Sequence, residues 1–584
     1  MKFTSTLKAA ALLTQSIGGN VLCSATSSTP RVVDASQGVT YEGLNRNGIE
    51  VFLGVPYGKD TSGANRFKPP RPYTPARGSV INAKSYGPAC PQEISDAAPP
   101  FAYTAVTDIS EDCLNLIIGR PKGTTSNSSL PVMVFIYGGG FFSGQNSEAI
   151  TSPDGLVLES VANGLPVIMV AINYRLGIFG FAQSAALKAQ GSENAGLRDQ
   201  RLALEWVQSH IDQFGGNPDK VTIFGQSSGG LAVGMQIMAY GATKPVPFRQ
   251  AICESQNNEP GITANFTIDA MQLVVDAVGC NTSSLHSADT IACLRGFDME
   301  TLLDASVSTY VGDIAHNAGD IWLPVVDGDF LPAAPSELIR DGKFANVTTM
   351  IGWCEDDLTA FTDTTITTAG EVHDFIQAYI PTMTSANVDR FLSLYPISDF
   401  TANEEANLSS QFYRAAKAFR DILMVCQPIF YAQNLAKRGN DVYLYNWNQT
   451  ISDQIIEGLV NETGYGVIHT SDLEYVFGNI TLFDDGEYPL HISASDFALS
   501  SRSSRSWSTF ASTGKPSLNG HNTFKGFTTA YPGNDVVNIF IAGGPYEGLS
   551  PIDGPGAKPV IEVQKFRERC AFLNSDEIIE QLRY

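Results

Sequence analysis

The candidate nucleophile of this chain is Ser227, within Gly-Gln-Ser-Ser-Gly at residues 225–229. The Gly-x-Ser-x-Gly pattern is typical of a nucleophile on a tight strand-to-helix turn, where side chains at 225 and 229 would collide with the flanking elements. In a chain with 53 glycines, the pattern alone also fits a plain glycine-rich helix start. The apolar run at 221–224 and the helix-compatible segment at 228–240 favour a nucleophilic turn.

Three consecutive glycines at 138–140 follow a second apolar run, residues 131–137. Attack on an acyl group creates an oxyanion, which needs backbone N–H donors on an unencumbered loop. We predict Gly139 and Gly140 as two donors and the amide of Ser228 as the third. A purely structural turn is the alternative, but it does not explain why the glycines follow a predicted strand of the same sheet.

The elements that position these residues alternate between strand and helix. Apolar runs predict strands, and apolar residues at helical spacing over 197–214 predict a helix between two of them. This order favours a mostly parallel sheet with helices on both faces. The predicted strands are 131–137, 167–172, 221–224, 250–254, 348–352 and 442–446.

Segments along nearly the whole chain resemble, in order, the type-B carboxylesterase and lipase family, which includes the cholinesterases. They are Gly-Val-Pro-Tyr at 54–57, Glu-Asp-Cys-Leu-Asn-Leu at 111–116, Gly-Gly-Gly-Phe at 138–141, Asn-Tyr-Arg-Leu-Gly at 173–177, Gly-Leu-Arg-Asp-Gln at 196–200, Phe-Gly-Gly-Asn-Pro at 214–218, Pro-Val-Val-Asp-Gly at 324–328 and Gly-Val-Ile-His at 466–469. The resemblance implies an α/β-hydrolase fold with large helical insertions. It also implies a Ser-acid-His triad in that chain order.

Chain order narrows the choice of catalytic base, because in this fold the histidine follows both the nucleophile and the acid. Four of the seven histidines remain: His373, His469, His491 and His521. The surroundings of His469, a glycine-containing segment before it and a helix-compatible segment after it, are similar to the family's histidine motif. The resemblance therefore assigns the base to His469.

The acid lies among three adjacent carboxylates, Glu355, Asp356 and Asp357. The family pattern here is Gly-x-Asn-x-Asp-Glu-Gly-x-x-Phe. Aligning its ends with Gly352 and Phe361 places Asp357 at the catalytic glutamate, although a leucine follows it where the family has glycine. Asp356 is the alternative.

Composition limits the classes of partner. The 584 residues are 43% hydrophobic and carry a formal net charge of -23, so the chain can bury a large core and repels nucleic acid and anionic lipid surfaces. No linker-like stretch interrupts it, which favours one catalytic domain over residues 26–584. We expect a small-molecule ester as substrate and no metal or cofactor; the sequence makes no prediction of oligomeric state.

Several features indicate secretion. Two lysines and a moderately apolar stretch ending in small residues predict a signal peptide at 1–25, and the C-terminus has no apolar tail, so we expect no stable membrane anchor. Removing the signal peptide leaves eight cysteines, an even number suited to an oxidising compartment. Eight Asn-x-Ser/Thr sequons occur, at Asn127, Asn265, Asn281, Asn346, Asn407, Asn448, Asn461 and Asn479.

The family resemblance also implies three disulfides, Cys90 to Cys113, Cys280 to Cys293 and Cys426 to Cys570. Cys253 and Cys354 remain, as buried thiols or a fourth bridge.

Hydrolysis of neutral carboxylic esters by a secreted serine esterase is the leading hypothesis. A lipase would use residues 90–113 as its lid, but Pro99-Pro100 breaks helical continuity there and the loop is acidic. A non-catalytic adhesion protein can share this fold, because fold alone does not establish chemistry. The serine and the histidine are both present, which favours the enzyme.

Overall fold

The computed structural model describes residues 29–317, 321–483, 490–533 and 536–584, so the predicted signal peptide lies outside the described residues. Fourteen strands occur in them: β1 Arg31–Asp34, β2 Val39–Glu42, β3 Leu44–Arg46, β4 Ile49–Pro56, β5 Val80–Asn82, β6 Asn115–Pro121, β7 Leu130–Ile136, β8 Ile168–Ile172, β9 Gly216–Gln226, β10 Gln250–Glu254, β11 Thr348–Cys354, β12 Val442–Trp447, β13 Asn538–Ala542 and β14 Gly548–Pro551.

The helices are α1 Pro153–Ala162, α2 Gly177–Phe181, α3 Ala185–Ala189, α4 Ala195–His210, α5 Ser228–Met238, α6 Phe266–Ala277, α7 Ala288–Arg295, α8 Met299–Asn317, α9 Pro335–Asp341, α10 Ala369–Tyr379, α11 Ser385–Ser393, α12 Ser410–Arg420, α13 Cys426–Lys437, α14 Ser452–Val460, α15 Leu473–Val476, α16 Ala494–Thr513, α17 Pro559–Glu562, α18 Phe566–Leu573 and α19 Asp576–Leu582. A π-helical turn, Asp421–Val425, joins α12 to α13.

Eleven strands form the central sheet, in the order β14-β13-β12-β11-β10-β9-β7-β8-β6-β4-β3. The strands from β8 to β13 are parallel, as the alternating pattern predicted. Antiparallel strands extend both edges; the sequence pattern identified neither those at the β3 edge nor β13 and β14 at the other. A separate three-stranded sheet contains β1, β2 and β5.

The central strands are buried along their whole length. Every residue of β8, β10 and β12 is buried, which requires helices on both faces of the sheet. Helices α1 and α16 pack together, and α5, α9 and α13 form a second contacting group. The parallel strands therefore end at one common edge, where the loops after β7, β9 and β11 meet.

Disulfides join Cys90 to Cys113, Cys280 to Cys293 and Cys426 to Cys570, the pairs that the family resemblance implies. Cys253 and Cys354 are free and buried, so they do not form a fourth bridge. Among the described helices, none is long and apolar enough to cross a membrane.

Candidate active site

Ser227 occupies the turn between β9 and α5. Its backbone has φ 60° and ψ −135°, a conformation that L-residues rarely adopt, and its N–H donates to the carbonyl of Glu254 at 2.9 Å. A Cβ at Gly225 would lie 2.6 Å from the carbonyl oxygen of Ile136, and one at Gly229 would overlap the same oxygen. The two glycines therefore let the turn pack directly against the end of β7.

The glycine loop after β7 lies on this turn. A Cβ at Gly138 would be only 2.7 Å from the Cβ of Ser227, and the N–H of Phe141 donates to Ser228 Oγ at 3.2 Å. Within the described residues, the backbone N–H groups of Gly139, Gly140 and Ser228 donate to no protein group. All three residues line one cavity with Ser227, so the three predicted donors are unpaired beside the candidate nucleophile.

His469 enters the same cavity from the loop after α14. Its Nδ1 lies 2.7 Å from Asp357 Oδ1, and its backbone N–H donates to the Asp357 carbonyl at 3.2 Å. The second carboxylate oxygen of Asp357 accepts from the Cys354 N–H at 2.8 Å. Because an ionised carboxylate only accepts hydrogen bonds, Nδ1 carries the proton and Nε2 is left as an acceptor.

The three adjacent carboxylates of the acid loop have different partners. Asp357 is fully buried against His469, whereas Asp356 lies 3.2 Å from Lys417 Nζ and accepts from the Val467 N–H. Glu355 accepts from Asn446 and Gln564 and also pairs with Lys417. The structure therefore brings Asp357, and not Asp356, to the imidazole.

Sequence reasoning missed Gln226 as a neighbour of the imidazole. Its side-chain Nε2 lies 3.1 Å from His469 Nε2 and 3.4 Å from Nδ1, so the amide packs against the imidazole ring and leaves the in-plane lone pair of Nε2 free. No hydrogen bond joins Ser227 Oγ to His469 in the part of the chain that the structure describes. Gln226 and Ser227 are neighbours in sequence at the end of a strand, which is the only sequence signal for this contact.

The cavity has a volume of about 460 Å³ and largely apolar walls. Phe361 packs edge-on to His469 with ring centres 5.6 Å apart, and Phe101 packs on Phe361 at 5.4 Å. Leu423 and Met424, from the π-helical turn, form part of the wall. Such a concave apolar pocket with few polar groups suits a small organic ligand.

The loop between Cys90 and Cys113 covers one side of the cavity and contains no helix. The partly buried carboxylate of Glu148 accepts from the backbone N–H groups of Tyr103 and Thr104, and Gln92 exchanges two hydrogen bonds with the backbone of Gly144. Burial raises the pKa of Glu148, which these N–H groups partly offset. The loop is therefore held by several hydrogen bonds to the segment at 144–148.

Further carboxyl groups are buried behind Asp357. Burial, together with the nearby charge of Asp357, raises the pKa of Asp472 to about 7. Burial raises the pKa of Glu474 to about 8 and that of Glu254 well above its ordinary value. Trp507 Nε1 donates to Glu254 at 2.6 Å and the Tyr445 hydroxyl donates to Asp472 at 3.1 Å.

The other candidate histidines lie elsewhere. His373 contacts Asp374 and Ser385, His491 is exposed, and His521 Nδ1 lies 2.9 Å from the Asn163 carbonyl. The described residues contain no group of three or more His, Cys, Asp or Glu arranged to hold a metal ion. Of the four histidines considered, His469 alone lines the cavity of Ser227.

Comparison with known proteins identifies the family. The carboxylesterase family matches residues 30–534. The chain belongs to this family. It is 54% identical over 555 residues to a secreted lipase of Arthroderma benhamiae, covering 95% of this chain and 96% of that protein. It is also 38% identical over 505 residues to an inactive carboxylesterase-like protein of Byssochlamys spectabilis, covering 83% and 84%.

The crystal structure of Aspergillus niger EstA is similar to this fold with a TM-score of 0.75 and 25% sequence identity, covering 95% of this chain and 99% of that one. The predicted α/β-hydrolase fold is therefore confirmed, and the protein is an ester hydrolase. A third relative, 38% identical over 352 residues, is a secreted lipase of Botryotinia fuckeliana, covering 57% of this chain and 61% of that protein. The protein is secreted, as its cysteine content predicted.

Proposed function

We propose that this esterase hydrolyses neutral carboxylic esters through an acyl-enzyme on Ser227. The observation that carries the proposal is the 2.7 Å contact between His469 Nδ1 and Asp357 Oδ1 inside the cavity that Ser227 lines. The contact leaves His469 Nε2 with a free lone pair on the cavity side. A general base in that state takes the proton of a serine hydroxyl as it attacks.

In the first half-reaction, Ser227 Oγ bonds to the ester carbonyl carbon and its proton passes to His469 Nε2. The imidazolium gives the proton to the departing alkoxide, and the alcohol leaves. Water repeats the sequence on the acyl-enzyme, which releases the carboxylic acid and restores the serine.

The developing oxyanion lies against the unpaired N–H groups of Gly139, Gly140 and Ser228. Donors that are already oriented in a site of low polarity stabilise this charge without reorganisation, which is commonly the largest single contribution to such catalysis. Ser228 also begins α5, whose N-terminal end carries partial positive charge. The acid Asp357 fixes the tautomer and stabilises the imidazolium.

The proposal is tested with purified protein, p-nitrophenyl esters of increasing acyl length and a fluorophosphonate probe. We expect turnover of the esters and one covalent adduct, on Ser227. Ser227→Ala and His469→Ala should each lose turnover by about a millionfold, with the double variant hardly worse, because the residues act as one unit. An adduct on another residue, or an active Ser227→Ala enzyme, would contradict the proposal.

A lipase is the second candidate. Ile94 and Phe101, on the loop between Cys90 and Cys113, are 63% and 44% exposed, and two relatives are named secreted lipases. Against it, hydrogen bonds to Glu148 and Gln92 hold this loop in place. Activity on tributyrin across its solubility limit separates the two functions: an esterase saturates smoothly, whereas a lipase shows a step when droplets form.

A further inference from the structure

The eight sequons of this secreted protein lie in different surroundings. Asparagines in six of them are exposed, Asn448 is partly buried and Asn479 is buried. An N-linked oligosaccharide is bulky and needs an asparagine at the surface. The exposed sites are Asn127, Asn265, Asn281, Asn346, Asn407 and Asn461.

Asn479 has no room for a glycan in this fold. Its Nδ2 donates to the carbonyls of Ile150 and Ser152, and its Oδ1 accepts from the Gly155 N–H at 3.0 Å. These bonds tie the chain after α15 to the start of α1. A sugar on Nδ2 would remove both donated bonds and displace the neighbouring backbone, so Asn479 is a structural residue.

Two exposed sequons flank one groove of about 600 Å³. The groove is distinct from the active-site cavity, and its lining includes the whole sequon at 407–409 and two residues of the sequon at 461–463. The other lining residues are four hydroxyl or amide side chains, a carboxylate, two alanines and one aromatic ring: Thr364, Thr365, Thr367, Asn403, Glu404, Ala402, Ala406 and Tyr465. Polar groups beside small apolar side chains match the alternating polar and apolar faces of a sugar ring.

Both asparagines have a left-handed backbone with φ 55°, a conformation that favours asparagine over most residues. This explains Asn407 and Asn461 without a glycan, and Ser409 has a structural role as the N-cap of α12. Thr463 is different, because its hydroxyl makes no hydrogen bond within the described residues. The backbone conformation therefore explains Asn461 of the second sequon, but no contact in the described part of the fold explains Thr463.

The groove lies over a small apolar cluster that is separate from the main core. The cluster contains Leu408, Phe412, Ile456, Tyr465 and Ile468. Two of these belong to the groove lining, and Ile468 directly precedes His469. We propose that Asn407 and Asn461 carry N-linked oligosaccharides that lie in this groove and stabilise the cluster beneath the histidine loop.

Glycopeptide mass spectrometry of the secreted protein tests occupancy, independently of the proposed catalytic function. We expect oligosaccharide on Asn407 and Asn461 and none on Asn479. Sugar on Asn479, or bare asparagine at both groove sites, would overturn the proposal.

The stabilising role is tested with Asn407→Gly and Asn461→Gly, since glycine also adopts the left-handed conformation. The control, Asn127→Gln, removes an exposed sequon on the turn between β6 and β7, outside the groove. We expect the double glycine variant to melt about 2–3 °C lower than wild type, and the control to be unchanged.

Enzymatic removal of the glycans from folded wild-type protein guards against an effect of the substitutions themselves. This treatment should lower the melting temperature by the same amount, and it should not lower that of the double variant further. Unchanged melting of the deglycosylated wild-type protein, or an equal loss in the Asn127→Gln control, would show that the groove does not use the sugars.

Discussion

The nucleophile turn and the acid loop both follow parallel strands of the central sheet, yet different means build them. The turn at Ser227 depends on missing side chains, because Gly225 and Gly229 pack against the carbonyl of Ile136. The acid loop depends on three adjacent carboxylates, each held by partners from distant parts of the chain. A local pattern therefore defines the first region, whereas tertiary contacts define the second.

The difference predicts how each region responds to substitution. At the turn, we expect a single added methyl group to destabilise the whole fold. In the acid loop, the fold survives and the chemistry depends on which of two neighbouring carboxylates keeps its charge. If substitutions in both regions change stability and turnover alike, this contrast between the two regions is wrong.

Gly229→Ala has the largest expected effect, because the new Cβ overlaps the Ile136 carbonyl oxygen, which is backbone and cannot move aside. We expect a destabilisation of about 3 kcal/mol or more and no secreted enzyme. Gly458→Ala is the matched control, since its Cβ meets nothing within 4 Å inside helix α14. That variant should be secreted normally and gain about 0.5–1 kcal/mol. Normal secretion of Gly229→Ala would contradict the steric argument.

Asp357→Asn should lower kcat about a thousandfold or more. The Cys354 N–H holds one side-chain oxygen, so the new amide must turn its NH₂ group toward His469 Nδ1 and reverse the tautomer. Asp356→Asn keeps an oxygen for the Val467 N–H and loses only the ion pair with Lys417, so it should cost about tenfold or less. Steady-state kinetics of the two variants measures the effects, and equal melting temperatures of both variants exclude a folding defect. A larger loss of kcat in Asp356→Asn than in Asp357→Asn would make Asp356 the triad acid.

Ser228→Ala tests the junction between the turn and the glycine loop. It removes the acceptor of the Phe141 N–H and leaves the proposed oxyanion donors in place. We expect kcat to fall about tenfold while KM changes little, because the lost contact positions groups that act in the transition state. A rise in KM with kcat unchanged would assign Ser228 to substrate binding.

Asp472→Asn has the smallest expected effect and concerns stability. The folded protein keeps a proton on Asp472 up to about pH 7, whereas an unfolded aspartate loses it near its ordinary value of 3.8. Because the folded state binds more protons in this window, rising pH destabilises the wild type there. The variant should lose less stability between pH 5 and 7, by at most about 1.4 kcal/mol per pH unit. Denaturant unfolding at pH 5 and pH 7 measures the free energy of unfolding of both proteins. An equal change with pH in wild type and variant would refute the prediction.

The sequence predicted the parallel part of the sheet because its strands are continuous apolar runs, such as β7 and β8. It missed β3, β4 and β6 at one edge of the central sheet and β13 and β14 at the other, and it missed the separate sheet that contains β5. Of these, β3 and β5 have only three residues each and no such run. Ser227 and the glycine loop could be located from glycine spacing together with the apolar runs before them, since glycines at fixed positions have a local steric cause.

The acid could not be chosen from the residues themselves, because Asp356 and Asp357 are chemically identical. Only the partners differ: Lys417 comes from α12 and His469 from the loop after α14. The contact of Gln226 with the imidazole also depends on the side-chain direction at the end of β9, which no spacing reveals. Alignment to the family pattern indicated Asp357, and the structure brings Asp357 to His469.

The backbone of Ser227, at φ 60° and ψ −135°, has a consequence for evolution and engineering. Any L-residue in this conformation costs stability, on the order of 1–3 kcal/mol, that glycine avoids. A Ser227→Gly enzyme should thus be inert and yet unfold at a higher temperature than its active parent. Selection for robustness alone would replace this serine, so under the proposed mechanism selection for turnover is what keeps it at this position.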